Sequence, residues 1–462
     1  TTAILAVGMK EILKKGGLVK NLLASETLGN VTVILTDKTG TITEAKMKLA
    51  EIITLTKNKE DNKEALTMAV IGSDAFVEIG EKGEVIVQGR PLEKAMVSAG
   101  LEVGISQKDL KIDNRRLDLQ LFSSQNGYAI SLNNTKNNNQ RLYVNGRPEI
   151  ILEQSQYVLE NGNKRKITKK EKEHFMKVLK EKTNLGMRLI GLAYKEVNLE
   201  KVPEDALDEL IFVSLMAFDD PIRKGVKESL QVTKELGVRT VMLTGDNEGT
   251  ARKIAEDVGI IKRGGEVLRG EDIEKMNDIE LEKVLKKVNV FARMNPSQKL
   301  RVSKIFKEMG EITAMTGDGI NDAPALRNAN VGIAVESGTE VAKESADLIL
   351  LDNSFSVIVF AVEEGRRIID NLKKVVAYLL STSFSEVFVI AGALLFGLPL
   401  PVLASQILWI NIIEGGFMNF AFVFEPKERY AKTKNDKIYN SEILTPRLRN
   451  MITMIALITG SF

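Results

Sequence analysis

Asp37 stands just after a short apolar run, Val31–Leu35, and is followed at once by Lys38, Thr39, Gly40 and Thr41. The run reads as a buried strand. A carboxylate at the exit of a parallel strand, followed by small residues, sits where open α/β sheets bind their ligands. The lysine and threonine there supply donors for a phosphoryl group. The arrangement recurs nearly 300 positions on, where a strand at Glu311–Met315 leads into Thr316-Gly317-Asp318-Gly319-Ile320-Asn321-Asp322. The lesser reading of Asp37 taken alone is a turn residue capping nearby amides. Two acidic clusters at two strand exits instead predict Mg²⁺-assisted phosphoryl transfer.

The elements that must hold these groups follow from the rest of the chain. At 462 residues it has room for two or three domains, and a formal charge of +2 gives no nucleic-acid footprint. There is no cysteine, hence no disulfide framework or thiolate metal site. His174 is the single histidine and lies in a charged helical stretch, which excludes His-based catalysis as a leading idea. Strands at Arg239–Leu243, Glu311–Met315, Val331–Val335 and Asp347–Leu351 alternate with amphipathic helical stretches, which predicts a parallel sheet covered on both faces. Between residues 45 and 214, short β-like runs (Glu84–Gln88, Tyr128–Leu132, Arg141–Val144) mix with helices such as Lys169–Lys182. Asn133–Gln140 reads as a loop.

The end of the chain is different. Val375–Gly397 and Val402–Phe424 are two apolar runs joined by Leu398-Pro399-Leu400-Pro401. Each exceeds the roughly 20 residues that a helix needs to cross a bilayer. The segment 425–450 carries seven Lys or Arg residues, which places it on the cytoplasmic side. Met451–Phe462 begins a third apolar helix. Glu386 in the first run has Ser383 on its face, and Asn411 and Glu414 share the same spacing on the second. Acidic groups are costly at that depth and default to a functional reading, here a hard-cation site.

Asp-Lys-Thr-Gly-Thr at 37–41 and Thr-Gly-Asp-Gly-Ile-Asn-Asp at 316–322 resemble the phosphorylation and hinge motifs of the P-type cation-transporting ATPases. The resemblance implies a haloacid-dehalogenase-like phosphorylation domain (31–44 and 215–365) interrupted by an α+β nucleotide-binding domain (45–214). It places the end of a membrane helix and its stalk at 1–30, and a stalk with two transmembrane helices at 366–424. A cytoplasmic loop at 425–450 and a truncated transmembrane helix at 451–462 complete the expected plan. The protein is thus expected in a membrane with its catalytic domains in the cytoplasm, as a fragment cut at both ends, its actuator domain and first membrane helices lying upstream.

The same resemblance assigns roles. Asp37 is the phosphate acceptor, with Lys38 beside it. Thr244, Gly245 and Asp246 form a second loop at the phosphoryl group, and Lys299 neutralises charge there. Asp318, Asp37 and the Thr39 carbonyl hold Mg²⁺, while Asn321 and Asp322 orient the assembly. Related phosphatases carry an acid/base Asp at the position of Thr39, so Thr39 favours a persistent aspartyl phosphate. For ATP the resemblance points to Phe122 as the adenine platform, with Glu93, Arg188, Gly146 and Arg223. Two pocket lysines are missing: one position is Asn145, and the other falls within Ser124–Tyr128.

The spans resemble the fifth and sixth helices of the type-II, calcium-pump group. Glu386 and Asn411 match ion ligands there, but Glu414-Gly415-Gly416 replaces Thr-Asp-Gly. The expected activity is ATP-driven cation transport, Ca²⁺ first, with proton, sodium or manganese as alternatives. A membrane-anchored aspartyl-phosphate phosphatase is the rival from another class. No residue identifies a partner subunit.

Overall fold

The computed structural model describes residues 2–56, 58–80, 84–123, 125–135, 139–203, 207–425 and 442–461. Two compact units form. One comprises Thr1–Ile42, Arg223–Glu248 and Ile254–Phe462; the other comprises Thr43–Ile222 with Gly249–Lys253.

The first unit is built on an eight-stranded sheet. Its order is Gly17–Val19, Leu348–Leu350, Val331–Val335, Thr313–Gly317, Val33–Thr36, Arg239–Leu243, Val290–Ala292 and Leu268–Arg269. Neighbours run parallel except the pair at the Gly17–Val19 edge. The central strands are buried at every position, as expected for a sheet covered on both faces. Val33, Leu35, Val241, Leu243, Phe291, Phe306 and Met315 pack into one core. Register pairs Val33 with both Thr313 and Arg239, so three strand ends open side by side.

A single helix, Phe355–Leu395, runs 41 residues from this domain into the first apolar run. Its start is set by Ser354, whose side chain accepts from the Ser356 N–H. Phe355, Ile358 and Val362 are buried, whereas Val387, Leu394 and Leu395 are exposed. Helix Leu22–Gly29, just before the Asp37 strand, crosses it at Gly365. A Cβ on Gly365 would sit 2.7 Å from both Gly29 Cα and Ser25 O, so the backbones touch with no side chain between them. Helix Thr2–Lys14 lies on the same long helix through Ile4, Leu5, Ile368 and Leu372. The second apolar run is helical over Ala404–Ile413, opens into a π turn at Glu414–Met418, and resumes over Asn419–Val423. Phe355–Leu395 and Ala404–Val423 are long and apolar enough to cross a membrane, with peak mean hydropathies of 1.7 and 1.2.

The second unit holds a largely antiparallel sheet. Its order is Asn163–Lys166, Ser155–Glu160, Leu210–Asp219, Arg188–Val197, Gln140–Gly146, Tyr128–Asn134 and Arg116–Gln120, with Lys48–Ile53 also paired to Leu210–Asp219. Alternation divides its apolar residues between two cores. Tyr143 packs with Met68, Ala69 and Met96 on one face; Leu142 and Val144 pack with Ile151, Phe175 and Phe212 on the other. Helix Lys169–Asn184 starts in a capping box formed by Thr168 and Glu171. A separate hairpin pairs Phe76–Ile79 with Val85–Gln88.

Several expected boundaries move. The limit at 214/215 would cut strand Leu210–Asp219, whose ladder to Lys48–Ile53 keeps residues 215–219 in the inserted unit. The crossings fall instead at 42/43 and 222/223. Residues 1–30 are more than a helix and stalk, because Gly17–Val19 adds the antiparallel edge strand. The stalk begins at Phe355 rather than 366, since nothing after the Ser354 cap interrupts the helix. The last helix begins at Pro446, five residues before 451, and 446–450 are therefore not loop. Residues 426–441, most of the expected cytoplasmic loop, lie outside the described residues, as do Ser124, 136–138 of the Asn-rich stretch, and Phe462.

Candidate functional site

Asp37 emerges one residue past Val33–Thr36, between the ends of Thr313–Gly317 and Arg239–Leu243. Its backbone N–H donates to Thr316 Oγ1 at 3.2 Å, and the Thr316 hydroxyl donates to Thr36 Oγ1 at 3.1 Å. Thr316 thus locks the Asp37 strand to its neighbour, a role the sequence reading missed. The Asp37 Oδ1 accepts the Lys38 N–H at 2.7 Å. Lys299 Nζ, from the first turn of helix Pro296–Glu308, donates to Asp37 Oδ2 at 2.9 Å and to Asp322 Oδ1 at 2.8 Å. Asn295 fixes the start of that helix by capping, with Gln298 reciprocating.

Asp318 completes the group. One oxygen from each of Asp37, Asp318 and Asp322 falls within 4.8 Å of the others. Gly40 adopts φ +72°, where a Cβ would meet Asp318 Oδ2 at 2.9 Å, so glycine is needed both for the turn and for the carboxylate's approach. Burial pushes Asp37 up to about 6; Lys299 opposes this and Asp322 adds to it. Burial and the Asp322 charge raise Asp318 as well. Burial works against the Lys299 charge, but the carboxylates of Asp37 and Asp322 outweigh it and raise its pKa. One lysine serves three crowded carboxylates, an all-oxygen set that fits a hard divalent cation.

The neighbouring loop lies at the same sheet edge. Thr244 is buried, and its hydroxyl oxygen accepts the Asp246 N–H at 3.1 Å. Asp246 Oδ2 pairs with Lys38 Nζ at 2.5 Å, joining the two loops, and Gly245 forms the turn between them. Thr39 is half-buried and Asn321 is exposed. Arg223, expected at the nucleotide, lies in this same unit, where its Nε and a terminal nitrogen donate to the Gly40 carbonyl at 3.3 and 3.1 Å.

In the inserted unit Phe122 is 38% exposed, open enough to stack a ring. Arg90 lies 6.0 Å from its ring centroid and donates to the Phe122 carbonyl at 3.2 Å. Glu93, on helix Pro91–Glu102, is buried and its pKa is raised by that burial, with Arg90 opposing. Arg188 opens strand Arg188–Val197 and is exposed. Gly146 is a packing glycine, since a Cβ there would meet Gly127 O at 2.5 Å and Tyr128 Cα at 2.7 Å. Asn145 is buried, with Nδ2 3.5 Å from the Gly72 carbonyl.

Within the apolar helices, Glu386 and Glu414 line one cavity of about 470 Å³ with Tyr378, Ser381, Ser385 and Thr459. The hydroxyls of Ser385 and Thr459 are hydrogen-bonded, which brings in the Pro446–Ser461 helix. The expected companions differ. Ser383 and Asn411 are exposed and absent from this lining, because spacing along one helix does not say which face its neighbours meet. Ser381 and Ser385 take their place.

Residues 61–225 match the family profile of the P-type ATPase cytoplasmic domain N, and residues 301–362 match that of haloacid dehalogenase-like hydrolases. Calcium-transporting ATPase 1 of Lactococcus lactis is 33% identical over all of this chain and 52% of its own length. Calcium-transporting ATPase 1 of Saccharomyces cerevisiae is 32% identical, and calcium-transporting ATPase type 2C member 1 of Bos taurus 31%, each over the whole chain and 52% and 50% of their own lengths. The chain spans about half the length of the curated relatives it matches. The crystal structure of a zinc-transporting PIB-type ATPase shares the fold, with TM-score 0.60 and 20% identity over 91% of this chain and 54% of that one. On these matches the chain belongs to the P-type cation-transporting ATPases.

Proposed function

We propose that this chain supplies the phosphorylation and nucleotide-binding machinery, with part of the cation path, of an ATP-driven pump. The observation that carries the reading is the buried group of Asp37, Lys299, Asp318 and Asp322. ATP supplies the γ-phosphoryl group that Asp37 accepts. A carboxylate oxygen forms the new P–O bond as the bond to the bridging oxygen breaks and ADP leaves. Lys299 holds the Asp37 carboxylate through one oxygen and keeps Asp322 in place with its other bond. Arg223 and Gly40 hold the loop close to Asp318. Asp37, Asp318 and the Thr39 carbonyl would hold Mg²⁺, which supplies neutralisation of the phosphoryl oxygens. Thr39 has no proton-accepting group near neutral pH, which supports a lasting aspartyl phosphate over the phosphatase alternative.

Ca²⁺ is the leading cargo, supported by the names of the relatives and by a cavity that brings two carboxylates, Glu386 and Glu414, together with several hydroxyls. The basic segment 425–450 supports catalytic domains in the cytoplasm. The test is labelling with γ-labelled ATP in the full-length protein across a screen of cations. Acid-stable, hydroxylamine-sensitive label should appear in a cation-dependent manner and vanish in Asp37→Asn. Label that survives this substitution sinks the reading. Glu386→Gln and Glu414→Gln should shift the cation requirement at least tenfold while leaving the label on Asp37 chemically unchanged; no shift in either would remove the cavity from the cation path.

A further inference from the structure

Phosphate recognition at the nucleotide site needs positive charge, and the inserted unit has lost it at an expected place. Asn145 is neutral and buried, and it points to the Gly72 carbonyl rather than to solvent. Arg147 is committed as well: its stem lies over Gly127, where a Cβ would meet Arg147 Cδ at 2.9 Å and Nε at 3.2 Å. Arg90 is different. It is exposed, and its guanidinium sits over Phe122 and is tied to the carbonyl of that same residue. No carboxylate lies within ion-pair distance of it among the described residues.

Glu93, the acid that feels the Arg90 charge, is buried and outside ion-pair distance, and Asp74, whose charge acts on Glu93, is paired with Arg116. Arg90 therefore keeps a charge without a counter-ion and N–H groups without acceptors, beside an exposed aromatic face. Pro91 follows it at the start of helix Pro91–Glu102, which fixes the backbone from which the side chain reaches out. A guanidinium offers paired donors matched to phosphate oxygens.

We propose that Arg90 is a further phosphate-binding cation of this nucleotide site: it reads the polyphosphate of a purine nucleoside di- or triphosphate whose base stacks on Phe122. The inference rests on the nucleotide reading of Phe122 and adds a contact and a substrate class to it. Arg90 and Phe122 then act as one two-part reader, the ring for the base and the guanidinium for the anion. The charge removed with the Asn145 position is restored from the start of helix Pro91–Glu102.

Calorimetric titration of the full chain with ATP, ADP and adenosine separates the parts. Arg90→Ala should weaken ATP and ADP about tenfold and leave adenosine within twofold. Arg90→Lys should recover part of the ATP affinity, and added salt should narrow the gap between wild type and Arg90→Ala. Equal weakening of all three ligands would reduce Arg90 to a brace for Phe122 and overturn the proposal, as would no weakening at all. Phe122→Ala is the separate arm and should weaken adenosine and ATP alike. If it changes neither, the nucleotide site itself is misplaced, whatever Arg90 does.

Discussion

At the scale of single residues, the decisive arithmetic is one ammonium against two buried carboxylates. Lys299 is 6% exposed and binds Asp37 and Asp322 together. Removing one partner from such a group leaves a buried charge without compensation, typically about 3–5 kcal/mol. Lys299→Met should therefore lower unfolding free energy by about that amount. Adding Asp37→Asn in the same background should recover part of it, because one repelling charge goes. Chemical denaturation of the four-protein cycle checks this; strictly additive losses would show that Lys299 and Asp37 do not interact. Gly40→Ala makes a companion case. The residue is at φ +72° against Asp318, so the variant should lose phosphorylation through displacement of Asp318 more than it loses stability. Labelling and melting of the same preparation decide it.

Elements show what a single sequence can reveal and where it stops. Strands Arg239–Leu243 and Val331–Val335 are legible at their observed ends because each ends in an apolar triplet and is bounded by turn residues, Gly237 and Gly245 around the first, Asn330 and Gly338 around the second. Gly17–Val19, Leu268–Arg269 and Val290–Ala292 were not read, since two or three residues carry no period. The grouping of Asp37, Asp318 and Asp322 follows from strand ends and is visible in the motifs, while Lys299 is placed there by the family resemblance. The second bond of Lys299, to Asp322, depends on where a helix packs and is not visible. The exposed guanidinium of Arg90 over Phe122 also escaped, because residues 32 apart share no local pattern.

Two further predictions belong to elements. Hydrogen bonding to Arg165 first, then to Thr168, holds Glu171 at about 2, below its ordinary 4.5. A depressed carboxylate stabilises the fold above its ordinary pKa and loses that contribution as pH falls toward the folded value. Glu171→Gln should thus melt below wild type at about pH 6, and the gap should close between about pH 4.5 and about 2. A gap that is constant with pH would assign the effect to packing. Gly365→Ala puts a methyl group against the Gly29 backbone, an overpacking that typically costs about 1–3 kcal/mol. Thermal melting should show it, and the paired change at Gly29 should not rescue it.

For the whole of the first unit, the 41-residue helix is the feature that links chemistry to the apolar region. Its near half is core, its far half carries Glu386, and its hydrogen-bond ladder is continuous. Lys374 also pairs with Glu425 at 2.7 Å, and Arg367 donates to the Glu425 carbonyl at 3.2 Å, fastening the end of the second apolar run to the same rod. Inserting two glycines after Lys373 should keep Asp37 competent for labelling but abolish the cation dependence proposed for that label. Retained cation dependence would mean that signals travel by another route.

The bare backbone crossing of Gly29 and Gly365 gives that rod a fulcrum. Contact without intervening side chains resists compression but tolerates swivelling. Glu386 lies twenty-one residues beyond it, about 31 Å at the helical rise, so a swing of only about 5° would carry the carboxylate about 3 Å. That is the size of a ligand bond made or lost, obtained from an angular change small enough to leave the sheet intact.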